Sequence, residues 1–366
     1  MRPFVLIAIR NLIQAPVRNL ILGGSIALMA ALMTLLLSLT AGIEHTIKSN
    51  AMALASGHVN IAGFLKLSQT SAAPLITHFS ELDDYARKNT PEAELIVDRI
   101  KGYGRVISDS ASLSVPLWGV DYDSEKSLLG RIALVEGSMA EFSKRGTLVL
   151  FAGQAKKLKV KVGDSLTLSL PTFRNMSNTL DVRLVAILQD MGLMSQFSVF
   201  LHREDLREVY QMSRDSTGQI MVFLKSDADT SKVMERYRKE LSTRGFKLME
   251  PEASAFWMKF DRVAGESWTG LKLDITSWKD ETSYLKWVVD LFQAMTFLVT
   301  LILGFIVTLG LVNALQMSIR ERTTEIGTLR ALGLQRFDTI KLFLLEAFFL
   351  AAAAAAEVAG VSRARI

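Results

Sequence analysis

Side chains able to carry acid–base, nucleophilic or metal chemistry are few in this sequence and lie far apart. The four histidines, His45, His58, His78 and His202, form no His-x-x-x-His pair or other spacing typical of metal ligands. The chain has no cysteine, which excludes thiolate zinc sites, cysteine nucleophiles and disulfides. Each histidine is therefore interpreted as a surface or structural residue.

The sequence also lacks the motifs of nucleotide and sugar chemistry. No G-x-x-x-x-G-K-[ST] phosphate loop occurs, so the chain is not expected to hydrolyse ATP itself. Gly23-Gly24 lies within an apolar run, where small residues permit close helix packing. The acidic pair Asp83-Asp84 is typical of a solvated helix, and no pattern places two carboxylates around a substrate. We therefore predict no catalytic residue, no metal and no cofactor.

Long apolar runs account for much of the 49% apolar composition. Residues 19–43 and 291–319 contain no charged side chain. Each run exceeds the roughly 20 residues that a helix needs to cross about 30 Å of hydrocarbon. A third run starts at Phe337, is interrupted by Glu346 and continues into the alanines Ala351–Ala356. The sequence therefore predicts two membrane helices and, with a weaker pattern, a third.

The net charge of +5 is concentrated beside the apolar runs. Arg2, Arg10 and Arg18 precede the first run, and an excess of basic residues follows the second, while the segment between them has no net charge. A neutral middle segment offers no phosphate-binding field, which argues against nucleic acid as a partner. By the positive-inside rule, both flanks are predicted to be cytoplasmic and the middle segment extracytoplasmic. The first run is too long for a cleavable signal peptide and is interpreted as an anchor.

The middle of the chain, residues 57–285, has the pattern of an α/β domain. Its length suffices for two subdomains, although no linker or repeat marks their division. Residues 203–212 and 231–243 have the pattern of helices. The predicted strands are Val59–Ile61, Ser114–Val120, Thr147–Leu150, Ser165–Leu170, Val182–Leu188 and Ile220–Leu224.

The most distinctive segment, residues 319–333, directly follows the second apolar run. Its charges alternate in sign, and Glu321 and Glu325 are four residues apart, on one face of a helix. Gly327 weakens an isolated helix by about 1 kcal/mol relative to alanine, and Gly333 suits a helix end. Pattern alone is equally consistent with an ordinary solvated turn beside the membrane. The apolar residues Ile326, Leu329 and Leu332 can form a patch beside Arg322 and Arg330.

This segment resembles a known signature. Residues 321–333, E-R-T-T-E-I-G-T-L-R-A-L-G, closely match the E-R-x-x-E-I-G-x-L-x-A-x-G pattern of MacB/FtsX-like ABC permeases. The resemblance extends over nearly the whole chain and is closest to the lipoprotein-releasing (LolC/LolE-like) branch. Further landmarks follow in the family's order: Ala8–Leu12, Gly57–Ile61, Trp118–Asp121, Glu136-Gly137 and Leu158–Asp164.

The resemblance implies a permease subunit without enzymatic activity of its own. Such a subunit pairs with a second copy or a paralogue and binds a dimer of a separate cytoplasmic ABC ATPase, which holds the ATP. It acts by mechanotransmission, in which helix movements displace periplasmic domains. The resemblance assigns docking on the ATPase to Glu321, Arg322, Glu325, Ile326, Gly327, Leu329, Arg330, Leu332 and Gly333.

The expected fold is a membrane α-helical protein with an α/β extracytoplasmic domain. Long stalk helices, TM1 and TM2, flank a periplasmic MacB-like core domain of two subdomains, in the bacterial inner membrane with the N-terminus cytoplasmic. Because the family has four membrane helices, the fourth is expected to be missing or altered after residue 360. The expected segments are a cytoplasmic amphipathic helix 1–19, TM1 20–43, the core domain 44–287, TM2 288–319, a coupling segment 320–336 and a third membrane helix 337–360.

No residue selects the cargo, because exporters of lipoproteins, lipids, peptides and antibiotics share this architecture. Met191, Leu193, Met194 and Phe197 are candidates for contact with a lipidated or hydrophobic cargo, although such residues are more often core or loop contacts. A periplasmic or outer-membrane component is a further expected partner.

Two other functional classes remain open. A membrane-anchored extracytoplasmic sensor would need a signalling module after the second helix, where only a third apolar run follows. An FtsX-like regulator of cell-wall hydrolases would use the same mechanics with a shorter outer domain.

Overall fold

The computed structural model describes residues 16–68, 71–171, 177–225, 228–321 and 323–331, together with the single positions 337, 341, 345 and 349. The chain forms two compact units. The helical unit consists of the described parts of Met1–Glu44 and Trp287–Ile366, and the α/β unit consists of the described parts of His45–Lys286.

The secondary structure alternates helices and strands between two long helices. The helices are α1 Pro16–Leu54, α2 Phe79–Asn89, α3 Tyr122–Leu129, α4 Ala152–Leu158, α5 Arg203–Val209, α6 Thr230–Thr243, α7 Phe260–Gly265, α8 Trp278–Glu281, α9 Lys286–Glu321 and α10 Thr323–Ala331. The strands are β1 Val59–Ser68, β2 Ser71–Ala73, β3 Ile76–Thr77, β4 Ala93–Ile107, β5 Ser112–Val120, β6 Leu134–Gly137, β7 Thr147–Phe151, β8 Ser165–Pro171, β9 Ser177–Leu188, β10 Val199–His202, β11 Ser216–Thr217, β12 Gln219–Leu224 and β13 Gly270–Ser277.

Within the described residues, two segments are long and apolar enough to cross a membrane: one lies in α1, and the other consists of the 3-10 turn Ser283–Leu285 and most of α9. These candidate spans are Gly23–Leu54, with a mean hydropathy of 2.2, and Ser283–Gly310, with a mean hydropathy of 2.1. The hydroxyl oxygens of Thr40 and Thr296 lie 3.1 Å apart and link α1 to α9 in the helical unit. Hydrogen bonds of this kind are a common means of helix association in apolar surroundings.

Two other predicted segments of the helical unit lie mostly or almost entirely outside the described residues. These are the amphipathic helix at 1–19 and the third membrane helix at 337–360.

The α/β unit contains a ferredoxin-like subdomain. Its four strands are arranged β13-β1-β12-β4, and each pairs antiparallel with its neighbour. In chain order this is the 4-1-3-2 arrangement that two split βαβ units produce, with α2 and α6 as the crossover helices. Both helices contribute to a single apolar core on one face of the sheet, in which the rings of Tyr85 and Tyr237 lie 5.4 Å apart.

A second subdomain is inserted between β4 and β12. Its sheet continues from β4 through β5, β10, β7, β9 and β6, and β8 pairs with both β4 and β9. Strand β4 is long enough to serve both subdomains, because Ala93–Arg99 pairs with β12 and Ile100–Ile107 pairs with β5. The division between the subdomains therefore falls within a strand, where no linker could mark it.

The last turns of α1 pack into the α/β unit. Ala51, Ala53 and Leu54 join an apolar core that faces β7, β9 and β10 of the inserted subdomain. Met52 packs against a separate group of residues that includes Val97 of β4 and Met221 of β12. The end of α1 therefore contacts both subdomains.

The α/β fold class is confirmed, and all six predicted strands coincide with observed strands. Both predicted helices are also present, as α5 and α6. The first of them ends at Val209 rather than Met212, because Gln211 has a positive φ of 53°. The strands that were not predicted are β2, β3, β4, β6, β10, β11 and β13.

Candidate functional site

A buried arginine binds the end of α1. Arg99, on β4, donates hydrogen bonds from its guanidinium to the carbonyl oxygens of Leu54 at 2.6 Å and Ala53 at 3.1 Å. The last carbonyl groups of a helix have no partner within the helix, and a cation near them is favoured by the helix dipole. Arg99 therefore caps α1 through a strand that belongs to both subdomains.

Glu125 of α3 holds this guanidinium in place. Its carboxylate accepts hydrogen bonds from Arg99 Nε at 3.0 Å and Nη2 at 2.5 Å, and both side chains have no exposed surface. Burial raises the pKa of Glu125, and the adjacent guanidinium opposes that shift. We call Arg99, Glu125 and the carbonyl groups of Ala53 and Leu54 the Arg99 cluster.

The chain leaving α1 is held by further buried polar contacts. Asn60 accepts from the amide of Gly57 at 2.7 Å and donates to the hydroxyl of Ser56 at 2.8 Å. Gln219 donates to the carbonyl oxygen of Ala55 at 3.0 Å. Gly57 itself lies against β12, since a Cβ atom there would be 2.7 Å from the backbone nitrogen of Val222. The turn after α1 is therefore fixed by both side chains and backbone.

A second buried charge on β4 faces the segment that precedes α9. Lys101 is two residues beyond Arg99 and so lies on the same face of the strand. Its ammonium is 3.8 Å from the carboxylate of Glu281, at the end of α8, and 4.3 Å from the centre of the Phe256 ring. Burial lowers the pKa of Lys101, and the carboxylates of Glu281 and Asp274 oppose that shift.

The neighbouring contacts connect this lysine to the base of α9. Glu281 accepts a hydrogen bond from Thr276 at 2.9 Å. Asp274 forms a fully buried ion pair with Lys259 at 2.7 Å. Because α9 begins at Lys286, Glu281 lies just before it. A charged residue of β4 therefore contacts the end of α1, and another contacts the segment that precedes α9.

The opposite face of β4 carries a third charge, at Asp98. Its carboxylate accepts from Arg203 of α5 at 2.5 Å and from the hydroxyl of Thr217 at 2.9 Å. Burial raises the pKa of Asp98, while Arg203 opposes the shift. Asp98 thus fixes the inserted subdomain to the strand that holds the end of α1.

The sequence-predicted coupling residues lie on two helices. Glu321 is the last residue of α9, whereas Glu325, Ile326, Gly327, Leu329 and Arg330 lie on α10. Thr323 donates a hydrogen bond to the carbonyl oxygen of Ile319 at 2.9 Å, between the two helices. Arg322, Leu332 and Gly333 lie outside the described residues. The docking role of this set stays a prediction.

The candidate cargo residues lie in and beside the 3-10 turn Gly192–Phe197, which is tightly held. Asn50 of α1 donates to the carbonyl oxygen of Met191 at 3.0 Å, and Gln154 donates to that of Ser195 at 3.0 Å. Met191 is half-buried and Met194 is buried in the core, whereas Phe197 is 51% exposed. Only the backbone of Leu193 is described. Cargo contact stays a prediction for these residues.

Among the histidines, His58 has structural surroundings. His58 Nδ1 accepts a hydrogen bond from the amide of Leu224 at 3.0 Å, and burial lowers the pKa of His58. Among the residues that the structure describes, no three His, Asp or Glu side chains are grouped as a metal site requires.

Sequence reasoning missed the charges of β4. Asp98, Arg99 and Lys101 interrupt a run of apolar residues, which hid the strand. The available signal was the presence of three charges within four residues between Val97 and Gly102, where a buried strand would need partners for each of them.

The architecture defines a class of protein: long apolar helices flank a two-part α/β unit. Comparison with known families identifies that class. Residues 21–240 match the MacB-like periplasmic core domain, and residues 297–362 match the FtsX-like permease C-terminal domain. The chain therefore belongs to the family of ABC transporter permeases with a MacB-like periplasmic core domain. It is a membrane protein, of a family whose members are in general subunits without enzymatic activity.

Individual relatives are distant. The chain is 23% identical over 359 residues to an uncharacterized ABC transporter permease of Methanocaldococcus jannaschii, covering 94% of this chain and 78% of the relative. The crystal structure of the periplasmic region of MacB from Actinobacillus actinomycetemcomitans is 12% identical and covers 64% of this chain and 94% of that one, with a TM-score of 0.37. The extracellular domain of the noncanonic ABC-type transporter YknZ from Gram-positive bacteria is 14% identical and covers 51% and 96%, with a TM-score of 0.36.

Proposed function

We propose that this permease couples ATP hydrolysis by a separate cytoplasmic ATPase to movement of its α/β unit outside the membrane. The Arg99 cluster is the observation that supports this proposal most strongly. A helix that only anchors a domain needs no buried cation at its end, because water can satisfy the last carbonyl groups. Here the end of α1 is instead bound by Arg99 of β4, which forms a buried ion pair with Glu125 of α3.

The cluster suits the transmission of movement. An α-helix is stiff, and α1 has no break between Pro16 and Leu54. Its end is hydrogen-bonded to β4, which pairs with β12 on one side and β5 on the other. A displacement of α1 would therefore reach both subdomains through one strand. Asp98 and Lys101 extend the same connection to α5 and to the base of α9.

On the cytoplasmic side, we assign docking of the ATPase to residues 321–333. Their alternating charges and apolar patch would fit a groove on the ATPase, and α10 follows α9 with only Arg322 between them. The proposed assembly contains two ATPase subunits, which bind the ATP, and a second permease copy or paralogue. The basic flanks support a topology with the start of α1 and the end of α9 in the cytoplasm and the α/β unit outside the bacterial inner membrane.

The proposed cargo is a lipoprotein or another hydrophobic or peptide molecule, with a periplasmic or outer-membrane component as a further partner. Phe197 is the exposed member of the described candidate residues, and it lies on the turn that Asn50 of α1 holds at Met191. A movement of α1 would therefore also move this turn. Family membership leaves the sensor alternative without support.

Co-purification tests the docking of the ATPase. The full chain is expressed together with the ABC ATPase of the organism that it comes from and is purified in detergent. The wild type is compared with the double variant Glu325→Ala/Gly327→Ala. A Cβ atom at Gly327 meets nothing within 4 Å, and alanine favours a helix over glycine by about 1 kcal/mol, so the variant's own helix is not weakened. We expect the wild type to retain a soluble ATPase and the variant to lose most of it.

Gly265→Ala is the matched control, because it is the same change at another open position, in α7 of the α/β unit. It should retain the ATPase at the wild-type level. If the double variant also retains it, or if no ATPase accompanies the wild type, the proposed coupling fails.

A further inference from the structure

Two large apolar side chains are exposed on a fixed turn of the α/β unit. Trp257 is 61% and Met258 49% exposed, although the flanking Phe256 and Lys259 are buried. Phe256 stacks on Phe64 with ring centres 4.8 Å apart, and Lys259 is held by its ion pair with Asp274. The turn therefore cannot bury its two apolar side chains by a local rearrangement.

This turn is attached to the base of the second candidate span. The Trp257 ring lies 5.9 Å from the ring of Tyr284, and the amide of Ala255 donates to the hydroxyl of Ser283 at 2.8 Å. Ser283 is the first residue of the candidate span, and Tyr284 is the second. Trp257 consequently lies beside the point where the chain enters that span.

Aromatic and basic side chains also meet near the base of α1. The ammonium of Lys48, on α1, is 5.8 Å from the centre of the Trp278 ring, and that of Lys279 is 5.7 Å from it. Tryptophan and tyrosine are enriched where a membrane protein passes through the headgroup region, and lysine reaches from there toward water. The bases of both spans thus have the composition of a membrane interface.

The lengths of the two long helices are consistent with an interfacial position for these side chains. Along a helix, Arg18 and Lys48 are about 45 Å apart and Lys286 and Arg320 about 51 Å apart, at about 1.5 Å per residue. A bilayer with its headgroups is about 40–45 Å thick, and spans tilt by about 20° on average. If the two arginines lie at the inner surface, both lysines lie at or just beyond the outer one.

We propose that Trp257 and Met258 insert into the headgroup region of the outer leaflet. The occupant of this patch is lipid rather than cargo or a second copy of the chain. The inference rests on the membrane spans and does not require the coupling proposed above.

Site-directed spin labelling tests the proposal, because the chain has no cysteine to remove. Full-length Met258→Cys is labelled and reconstituted in phosphatidylethanolamine/phosphatidylglycerol vesicles. Collision rates are measured with oxygen, which concentrates in lipid, and with a water-soluble nickel chelate. Lys239→Cys, exposed on α6, is the aqueous control, and Leu301→Cys, exposed within the second span, is the lipid control.

We expect the ratio of oxygen to nickel collisions at residue 258 to exceed that at residue 239 several-fold and to stay below that at residue 301. A ratio equal to that at residue 239 would show that the patch faces water and would overturn the proposal. Protection from both reagents would indicate a protein partner or second copy and would also overturn it. Loss of ATPase co-purification leaves this result unaffected, so the two proposals fail separately.

Discussion

Arg99 illustrates why one side chain can do what another of the same charge cannot. A guanidinium presents several N–H donors in a fixed plane, so it can bind a carboxylate and two carbonyl groups together. At Arg99 these are Glu125 and the carbonyl oxygens of Ala53 and Leu54. A lysine ammonium has three donors on one atom and cannot span that set. The position therefore demands arginine for geometric reasons.

Arg99→Lys is expected to destabilise the α/β unit by about 3 kcal/mol, since it leaves buried groups unpaired. Amide hydrogen exchange at residues 45–56 should rise as well. Urea unfolding of the detergent-solubilised chain, followed by near-UV circular dichroism, measures the first effect. Arg183→Lys is the control, because the Arg183–Glu141 pair is exposed and worth at most about 1 kcal/mol. Equal effects of the two substitutions would contradict the importance of the Arg99 cluster.

Lys101 predicts a dependence of stability on pH. Because burial lowers its pKa in the folded state, the unfolded chain binds more protons between that value and 10.5, the ordinary lysine pKa. Stability should therefore rise with pH through this window. Lys101→Met removes the group that titrates and should abolish that part of the rise. It also leaves the buried carboxylate of Glu281 without its cation, so stability at pH 7 should fall.

Urea unfolding of both proteins between pH 7 and pH 10 measures this contribution. The exposed Lys156→Met is the control and should keep the wild-type slope. A Lys101→Met slope equal to that of the wild type would show that Lys101 remains protonated in the fold.

The turn between α1 and β1 depends on close contact of two backbones. A Cβ atom at Gly57 would be 2.7 Å from the nitrogen and 2.8 Å from the oxygen of Val222, and backbone atoms of a central strand cannot move aside. Gly57→Ala should therefore destabilise the α/β unit by about 2 kcal/mol. Gly265→Ala, where the space is open, should change stability far less. Thermal unfolding of the two variants measures the difference, and similar midpoints would exclude a tight contact at Gly57.

Elements with regular apolar patterns were predictable from sequence, and those stabilised by distant partners were not. Strand β9 contains the uninterrupted run Leu184–Leu188, and α6 has apolar residues on one face. In β4, by contrast, the charges break the pattern, and each finds its partner far along the chain. Arg99 is 26 residues from Glu125 and 45 from Leu54. No local pattern can report such pairing.

The only part of the candidate site that could be predicted from sequence is the part that consists of a short contiguous motif. The signature at residues 321–333 is contiguous, so the coupling segment could be proposed from the sequence. The Arg99 cluster exists only once β4, α3 and the end of α1 have packed together. The subdomain boundary escaped prediction for a related reason, because it falls inside β4 rather than in a linker.

The whole molecule should expose its α/β unit and its coupling segment on opposite sides of the membrane. Lys239→Cys is expected to react with a membrane-impermeant maleimide on intact spheroplasts, because α6 belongs to the α/β unit, which the proposed topology has outside the membrane. Thr324→Cys, on α10, should react only after permeabilisation. Labelling is read by a gel shift, with the unmodified cysteine-free chain as the blank. Reaction of residue 324 in intact spheroplasts would contradict the proposed topology. Protection of residue 239 in intact spheroplasts would contradict it as well.

The ferredoxin-like subdomain is discontinuous in sequence, and this has a consequence for the order of folding. When β1, α2 and β4 leave the ribosome, β12 has yet to be synthesised, so the sheet lacks one of its two inner strands. The inserted subdomain is nearly contiguous and can collapse first, whereas contacts between distant segments form slowly. The insert would then act as a template that brings β12 to β4. Until β12 pairs with them, β1 and β4 have unpaired edges. A chaperone would bind the partly folded chain during this interval.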